Sequence, residues 1–411
     1  MDLGPFVPLR AAVARLAAGF SSAPVAARLE RDGADLLLAD SSGVASPLAP
    51  VVGAAEGDLV SGLLRRGAAG FALDAARVLA RRAGPPAPED ADLPRRLPLL
   101  RRRAAIVAAI RRFFAERDFL EVETPTRVVC PGMEPHLAPL PAGEGRWLIT
   151  SPELHLKRLL AAGAPRIFEL ARSFRGDERG ETHLVEFTML EWYRAFEGLD
   201  ALVADVSGLL RAAALAAGAD PSLVPGCDLS LPPERLTVRE AFRRLAGIDL
   251  AAMRELPALR AAAEAIGVRT APDDDWDEIY FRIFLERVEP HLGRGRITVL
   301  EEYPASQAAL SNVRPDPEWP VALRFEVYAG GMELANAFDE LTDPAEQRRR
   351  HEADRAYRLA HGLPAPDLDE AFLAALEAGH PPAAGIALGV DRLVALALGE
   401  RDIRRVVAFP E

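Results

Sequence analysis

The segment Glu186-Phe187-Thr188-Met189-Leu190-Glu191-Trp192-Tyr193 limits the fold of this chain more than any other. Its aromatic and apolar content favours a strand. Strand side chains alternate, so Phe187, Met189, Glu191 and Tyr193 share one face. A carboxylate in the middle of such a face cannot stay buried and alone. It must find a partner or take up a proton, and Glu191 is expected to meet a cation. Phe174-Arg175-Gly176-Asp177-Glu178 precedes this strand, and the polar stretch from Gly176 to Thr182 reads as the turn of a hairpin. Arg175 and His183 on that hairpin are placed to meet phosphate oxygens.

Three further segments carry polar groups in unusual settings. Ser151-Pro152-Glu153 opens a helix, with Ser as its cap and Pro as its first residue. Glu153 then lies in the first turn, where the helix dipole alone would favour a carboxylate. In Arg324-Phe325-Glu326-Val327-Tyr328-Ala329-Gly330-Gly331-Met332-Glu333 the paired glycines mark a tight hairpin. A two-residue loop there puts Glu326 and Glu333 on one sheet face, as a solvated edge or as a cation site suited to Mg²⁺. Taken by itself the segment favours the solvated edge. Asn336 and Glu340 follow, before a helix expected near Asp343. Last, Gly385-Ile386-Ala387-Leu388-Gly389 reads as a glycine-punctuated strand that allows close approach, and Arg392 stands near the start of the next helix.

At 411 residues the chain suggests two domains. Residues 1–94 differ in texture from the rest. Val25–Leu29, Ala34–Leu38 and Leu59–Leu64 read as short strands with turns at Asp32-Gly33 and Ser41–Gly43, the pattern of a small OB-like β-barrel. Only Phe20 and Phe71 offer rings for stacking bases between residues 20 and 85, so a docking or scaffolding role is expected there. Gly84–Pro94, with four prolines and three acids, reads as a linker. Residues 95–411 form the second domain. In it, Leu99–Arg117 is an amphipathic helix with Ile106, Ile110, Phe113 and Phe114 on its apolar side, leading to a strand at Phe119–Val122 that Pro125 stops. That helix suits a subunit interface and a self-contained core equally.

Net charge of −12 argues against broad affinity for nucleic-acid backbones. The chain shows no apolar run of membrane-spanning length and no signal-peptide pattern at Met1–Leu9, and its two cysteines, Cys130 and Cys227, form no disulfide framework. A cytoplasmic protein is expected. Lys157 is the one lysine, set against 48 arginines. Either it marks a place where a compact ammonium cannot give way to a planar guanidinium, or it survives by chance.

In this order the segments resemble motifs 1, 2 and 3 of class II aminoacyl-tRNA synthetases. The lysyl branch is the nearer match, through Phe119-Leu120-Glu121-Val122-Glu123-Thr124-Pro125, Thr150-Ser151-Pro152-Glu153, Glu186–Glu191 and Gly389-Val390-Asp391-Arg392-Leu393. Pro304-Ala305-Ser306-Gln307-Ala308, Glu191-Trp192-Tyr193-Arg194 and Ile386-Ala387-Leu388-Gly389 resemble the elongation factor P lysine ligase family in particular.

The resemblance implies an α+β fold with an antiparallel sheet flanked by helices, here preceded by the small OB-like domain. It implies ATP-dependent formation of a lysine-type adenylate, typically from (R)-β-lysine, and transfer to a lysine of elongation factor P. Implied partners are ATP, Mg²⁺ and elongation factor P, with a homodimer through Ile106–Arg117; tRNA is not expected. By the same resemblance, Arg175 would grip the α-phosphate and substrate carboxylate, and Arg392 and His183 the outer phosphates. Phe187 and Arg392 would enclose adenine, with Asp177 contacting it, and Glu326 and Glu333 would bind Mg²⁺. Glu153 and Asn336 would hold the amino-acid backbone end, while Glu340, Tyr193 and Glu191 would read the side-chain ammonium.

Ala387 stands where lysyl-tRNA synthetases resemble one another in having glycine, and its methyl would narrow the pocket in favour of a β-amino acid. Motif 2 departs from the usual pattern at Gly176, Asp177, Leu184 and Val185, and Ala337 replaces a glycine. Two other readings remain: a lysyl-tRNA synthetase, and a silent amino-acid or nucleotide sensor.

Overall fold

The structure is a computed structural model that describes residues 6–32, 35–40, 42–46, 48–81 and 93–410. The chain divides into two compact units, residues 1–105 with 404–410 and residues 106–403.

In the first unit, helix Leu9–Ala17 accompanies a five-stranded antiparallel sheet. Its strands, in spatial order, are Gly43–Ala45, Asp35–Asp40, Ala23–Asp32, Leu59–Gly67 and Gly70–Ala80. Leu9, Leu16, Val25, Leu29, Leu38, Val60 and Leu64 fill the core beneath it. A bridge from Leu48 to Phe71 ties the two ends of the sheet, as closure toward a small barrel requires. Helix Leu9–Ala17 and strand Gly70–Ala80 lie outside the sequence expectations. The expected turns include Gly33 and Ser41, which lie outside the described residues, as do residues 84–92 of the expected linker. Leu93 and Pro94, placed in that linker from sequence, instead open helix Leu93–Ala115, because proline is tolerated in a first helical turn.

The second unit is built on a large sheet in the order Glu234–Thr237, Thr298–Pro304, Val321–Ala329, Met332–Asp339, Ala383–Gly389, Glu186–Ala195, Arg166–Phe174 and Leu120–Glu121. Its central pairs are antiparallel and only the two outermost are parallel. Helices Glu153–Ala161, Leu199–Ala216, Pro344–Ala360, Glu370–Gly379 and Val390–Leu398 flank it. This is the α+β architecture expected from the sequence. Residues 238–292 add a mostly helical region whose buried side chains, Phe242, Tyr280 and Phe284 among them, form one core with Leu300, Tyr303, Ala322 and Tyr328 of the sheet.

Alternation along Glu186–Ala195 separates two environments. Trp192 and Arg194 point to the helical side, where Asp205 accepts from Trp192 Nε1 at 3.2 Å and from Arg194 Nε at 2.7 Å. Phe114 stacks on Phe168 at 4.6 Å and lies 5.3 Å from Trp192, so the apolar positions of the Leu93–Ala115 helix are spent on the chain's own core. The opposite face of the strand carries Phe187, Met189, Glu191 and Tyr193 into a cavity.

Candidate active site

The cavity has a volume of about 420 Å³ and lies over the central strands of the second unit. Arg175, His183, Phe187, Glu326, Glu333 and Arg392 line it, together with Glu153, Glu191, Tyr193, Asn336 and Ala387. The structure thus gathers eleven of the thirteen residues singled out from the sequence. Two lie elsewhere. Asp177 is exposed and does not line the cavity. The amide of Gly176 donates to Ala138 O at 2.9 Å, which fixes the hairpin entry, and Glu178, one residue past Asp177, faces Arg175 at 3.3 Å. Glu340 sits beneath the cavity floor, 1% exposed, rather than in its lining.

One part of the lining is built for anions. Arg392 Nη2 lies 2.6 Å from His183 Nε2, Nε donates to Thr182 O at 3.0 Å and Nη1 to Glu333 O at 2.9 Å. These contacts hold the guanidinium flat across the hairpin end. Burial, then the charge of Arg392, lowers the pKa of His183 and keeps the ring neutral. The Arg175 guanidinium lies over the Phe187 ring, 5.3 Å from its centre.

Glu326 and Glu333 stand on adjacent strands of the Val321–Ala329 and Met332–Asp339 hairpin. Glu326 pairs opposite Asn336, and Tyr328 opposite Glu333. Glu333 and Asn336 are three positions apart, which in a regular strand would put them on opposite faces. A bulge at Leu334 restores them to one face, so both line the cavity. Arg324, which sequence reading left without a role, donates from Nη2 to Glu326 Oε1 at 2.5 Å and to Asn336 Oδ1 at 2.9 Å. Tyr328 OH donates to the other Glu326 oxygen at 2.6 Å. Period-two alternation from Glu326 would have put Arg324 on this face. Burial and the neighbouring Glu326 charge push Glu333 up to about 7.

The other part of the lining is acidic and buried. Ser151 Oγ accepts from the Glu153 amide at 3.1 Å and donates to Glu191 Oε1 at 2.5 Å, while Tyr193 OH donates to Glu191 Oε2 at 3.0 Å. The partners of Glu191 are therefore hydroxyls and not the cation expected from sequence. Burial, reinforced by Glu153, pushes its pKa up to about 8. Ala387 sits in register between Glu191 on one neighbouring strand and Asn336 on the other. Gly385, two residues back, has no room for a side chain: a Cβ there would come 2.2 Å from the Tyr193 ring and 2.4 Å from Glu340 Oε1.

The site thus joins a cationic, aromatic half to a carboxylate-rich half across one sheet. This can hold a nucleotide triphosphate beside a small molecule bearing ammonium groups. Comparison with known proteins points the same way. The family model described as tRNA synthetases class II (D, K and N) matches residues 93–411. Proteins named elongation factor P--(R)-beta-lysine ligase from Klebsiella pneumoniae (strain 342) and Salmonella paratyphi B are each 43% identical to this chain over 324 residues. The match covers 76% of this chain and 95% of each relative. The chain belongs to the class II tRNA synthetase family and, within it, to the elongation factor P lysine ligases.

Proposed function

We propose that this protein uses ATP to activate (R)-β-lysine as an adenylate and transfers it to a lysine side chain of elongation factor P. The observation that carries this reading is the set of buried carboxylates, Glu153, Glu191 and Glu340, gathered beside the Arg175–His183–Arg392 group. A buried acid cluster of this kind favours a ligand with more than one ammonium.

In the proposed reaction the amino acid carboxylate attacks the α-phosphorus in line and pyrophosphate leaves. Arg175 would hold the two reacting anionic groups together, which lowers their repulsion and orients the attack. Arg392, held in place by Thr182, Glu333 and His183, would bind the outer phosphates with neutral His183. Adenine would lie against Phe187, with Glu178 taking the contact assigned from sequence to Asp177. Glu153 and Asn336 would hold the amino group near the reacting end, and Glu340, Tyr193 and Glu191 the distal ammonium.

Among the described residues no three metal-ligating side chains cluster. The Glu326–Glu333 pair fits Mg²⁺ in its usual setting, one or two carboxylates completed by substrate phosphates. Arg324 and Tyr328 would keep Glu326 aligned for it. Bound there, the ion would neutralise charge on the departing pyrophosphate.

A homodimer through the region of Ile106–Arg117 and a cytoplasmic location belong to the same proposal. Among the described residues no helix is long and apolar enough to cross a membrane. The test is mass spectrometry of elongation factor P incubated with this protein, ATP and (R)-β-lysine. A gain of one β-lysyl group on one lysine is expected. Charging of tRNA instead would move the assignment to a lysyl-tRNA synthetase, a reading that the scarcity of rings for stacking bases between residues 20 and 85 disfavours.

A further inference from the structure

The one lysine of the chain is buried against the carboxylates that the proposed function assigns to substrate binding. Lys157 lies on helix Glu153–Ala161, one turn after Glu153, and is 1% exposed. Its Nζ is 2.5 Å from Glu153 Oε1 and 2.6 Å from Glu340 Oε2. It does not line the cavity, whereas Glu153 does. Glu340 Oε1, on the side of Gly385 and Tyr193, has no hydrogen-bond partner.

We propose that Lys157 is a positioning residue, a permanent internal ammonium that holds Glu153 and Glu340 at fixed spacing so that each presents its remaining oxygen to an ammonium of the substrate. This rests on the lysine-type substrate proposed above.

The chemistry of the residue supports the role. Two buried carboxylates brought this close repel, and a shared cation removes that repulsion. An ammonium is compact and can serve two acceptors in a small space, where a guanidinium demands a planar fork. Every other strong cation in the chain is arginine, so the use of lysine here is selective.

The surroundings keep the charge on Lys157. Burial works against it, but Glu153 and Glu340 outweigh burial and hold the pKa above the usual lysine value. His351, from helix Pro344–Ala360, and His380, after helix Glu370–Gly379, both feel Lys157. Burial first and its charge second push them down to about 4, so they stay neutral. Glu134 also faces the group; burial and Glu153 raise its pKa and Lys157 opposes the rise. For Glu340, burial pushes the pKa up to about 8, with Lys157 as the main opposing influence.

Two measurements test this on the full chain. The first is ATP–pyrophosphate exchange with (R)-β-lysine for wild type, Lys157→Met and Lys157→Arg, with folding checked by thermal melting. Both variants should lose about 100-fold in kcat/KM for the amino acid, as expected for breaking a buried ion pair. KM for ATP should stay within about threefold. In Lys157→Met the acid limb of the pH profile should move to higher pH, because Glu340 loses the ammonium that opposes its burial. A folded Lys157→Met protein with wild-type kcat/KM and an unshifted profile would overturn the proposal.

The second measurement is NMR of the chain labelled at lysine Cε and Nζ, which gives one signal. It should remain that of a charged ammonium above the pH where free lysine titrates, and should shift when (R)-β-lysine is added. A signal titrating like free lysine overturns the proposal. If wild type exchanges with no lysine isomer, the assigned activity fails, and the signal decides alone: no shift with added amino acid sinks the role of Lys157 too.

Discussion

At the scale of single residues, specificity rests on very small groups. The Ala387 methyl projects between Glu191 and Asn336, the two side chains on either side of the proposed amino-acid site. Removing it with Ala387→Gly should raise kcat/KM for α-lysine by about tenfold relative to (R)-β-lysine, in the range one methyl group in a pocket can supply. Pyrophosphate exchange with both isomers checks this, and an unchanged ratio would remove Ala387 from the account. Gly385→Ala tests the opposite limit. Its Cβ would fall on the Tyr193 ring and Glu340 Oε1, so amino-acid-dependent exchange should drop at least 100-fold while ATP still binds. Calorimetric titration with ATP separates that outcome from general unfolding.

At the scale of elements, the two faces of Glu186–Ala195 do different work. The helical side depends on Asp205 and its bonds to Trp192 and Arg194. Asp205→Ala leaves the buried Arg194 with Glu197 alone and should cost about 3 kcal/mol of stability. KM for the amino acid should not change, because this side faces away from the cavity. Denaturant unfolding and steady-state kinetics on the same sample decide it. This strand was legible in the sequence from its aromatic and apolar content, and strand alternation then put Phe187, Met189, Glu191 and Tyr193 on one face. The tight turn at Gly330-Gly331 was legible for a similar reason, since a two-residue loop puts Glu326 and Glu333 on one face. The bulge at Leu334 was not, because nothing local marks which residue a ladder will skip. That Glu178 and not Asp177 lines the cavity could not be decided locally, because the hairpin entry is held by Ala138, far off in sequence.

At the scale of the whole molecule, the site stores unfavourable burial of charge. Burial pushes Glu191 up to about 8 and Glu333 up to about 7, against 4.5 for an unperturbed glutamate. Between pH 4.5 and about 8 the folded protein therefore keeps protons on these acids that the unfolded chain has released, which lowers stability as pH rises; His351 and His380, pushed down to about 4, act the other way only up to about pH 6.5, where free histidine has lost its proton too. The melting temperature should drop from pH 6.5 to pH 8, and (R)-β-lysine with ATP should flatten the slope by supplying cations to these acids. Scanning calorimetry at a series of pH values checks the sign; a rising melting temperature would contradict these charge states. Residues 238–292 escaped sequence reading because their buried residues, such as Phe242 and Tyr280, build a core without chemistry to mark it. The partnership of Lys157 with Glu340 escaped it too, since only the folded sheet brings them together.

The central claim is that the buried carboxylates read a lysine-type amino acid next to a nucleotide site. ATP–pyrophosphate exchange with Mg²⁺ and, in turn, (R)-β-lysine, (S)-β-lysine and α-lysine tests it most directly. The account predicts exchange with highest kcat/KM for (R)-β-lysine. A folded sample that exchanges with none of the three would contradict it.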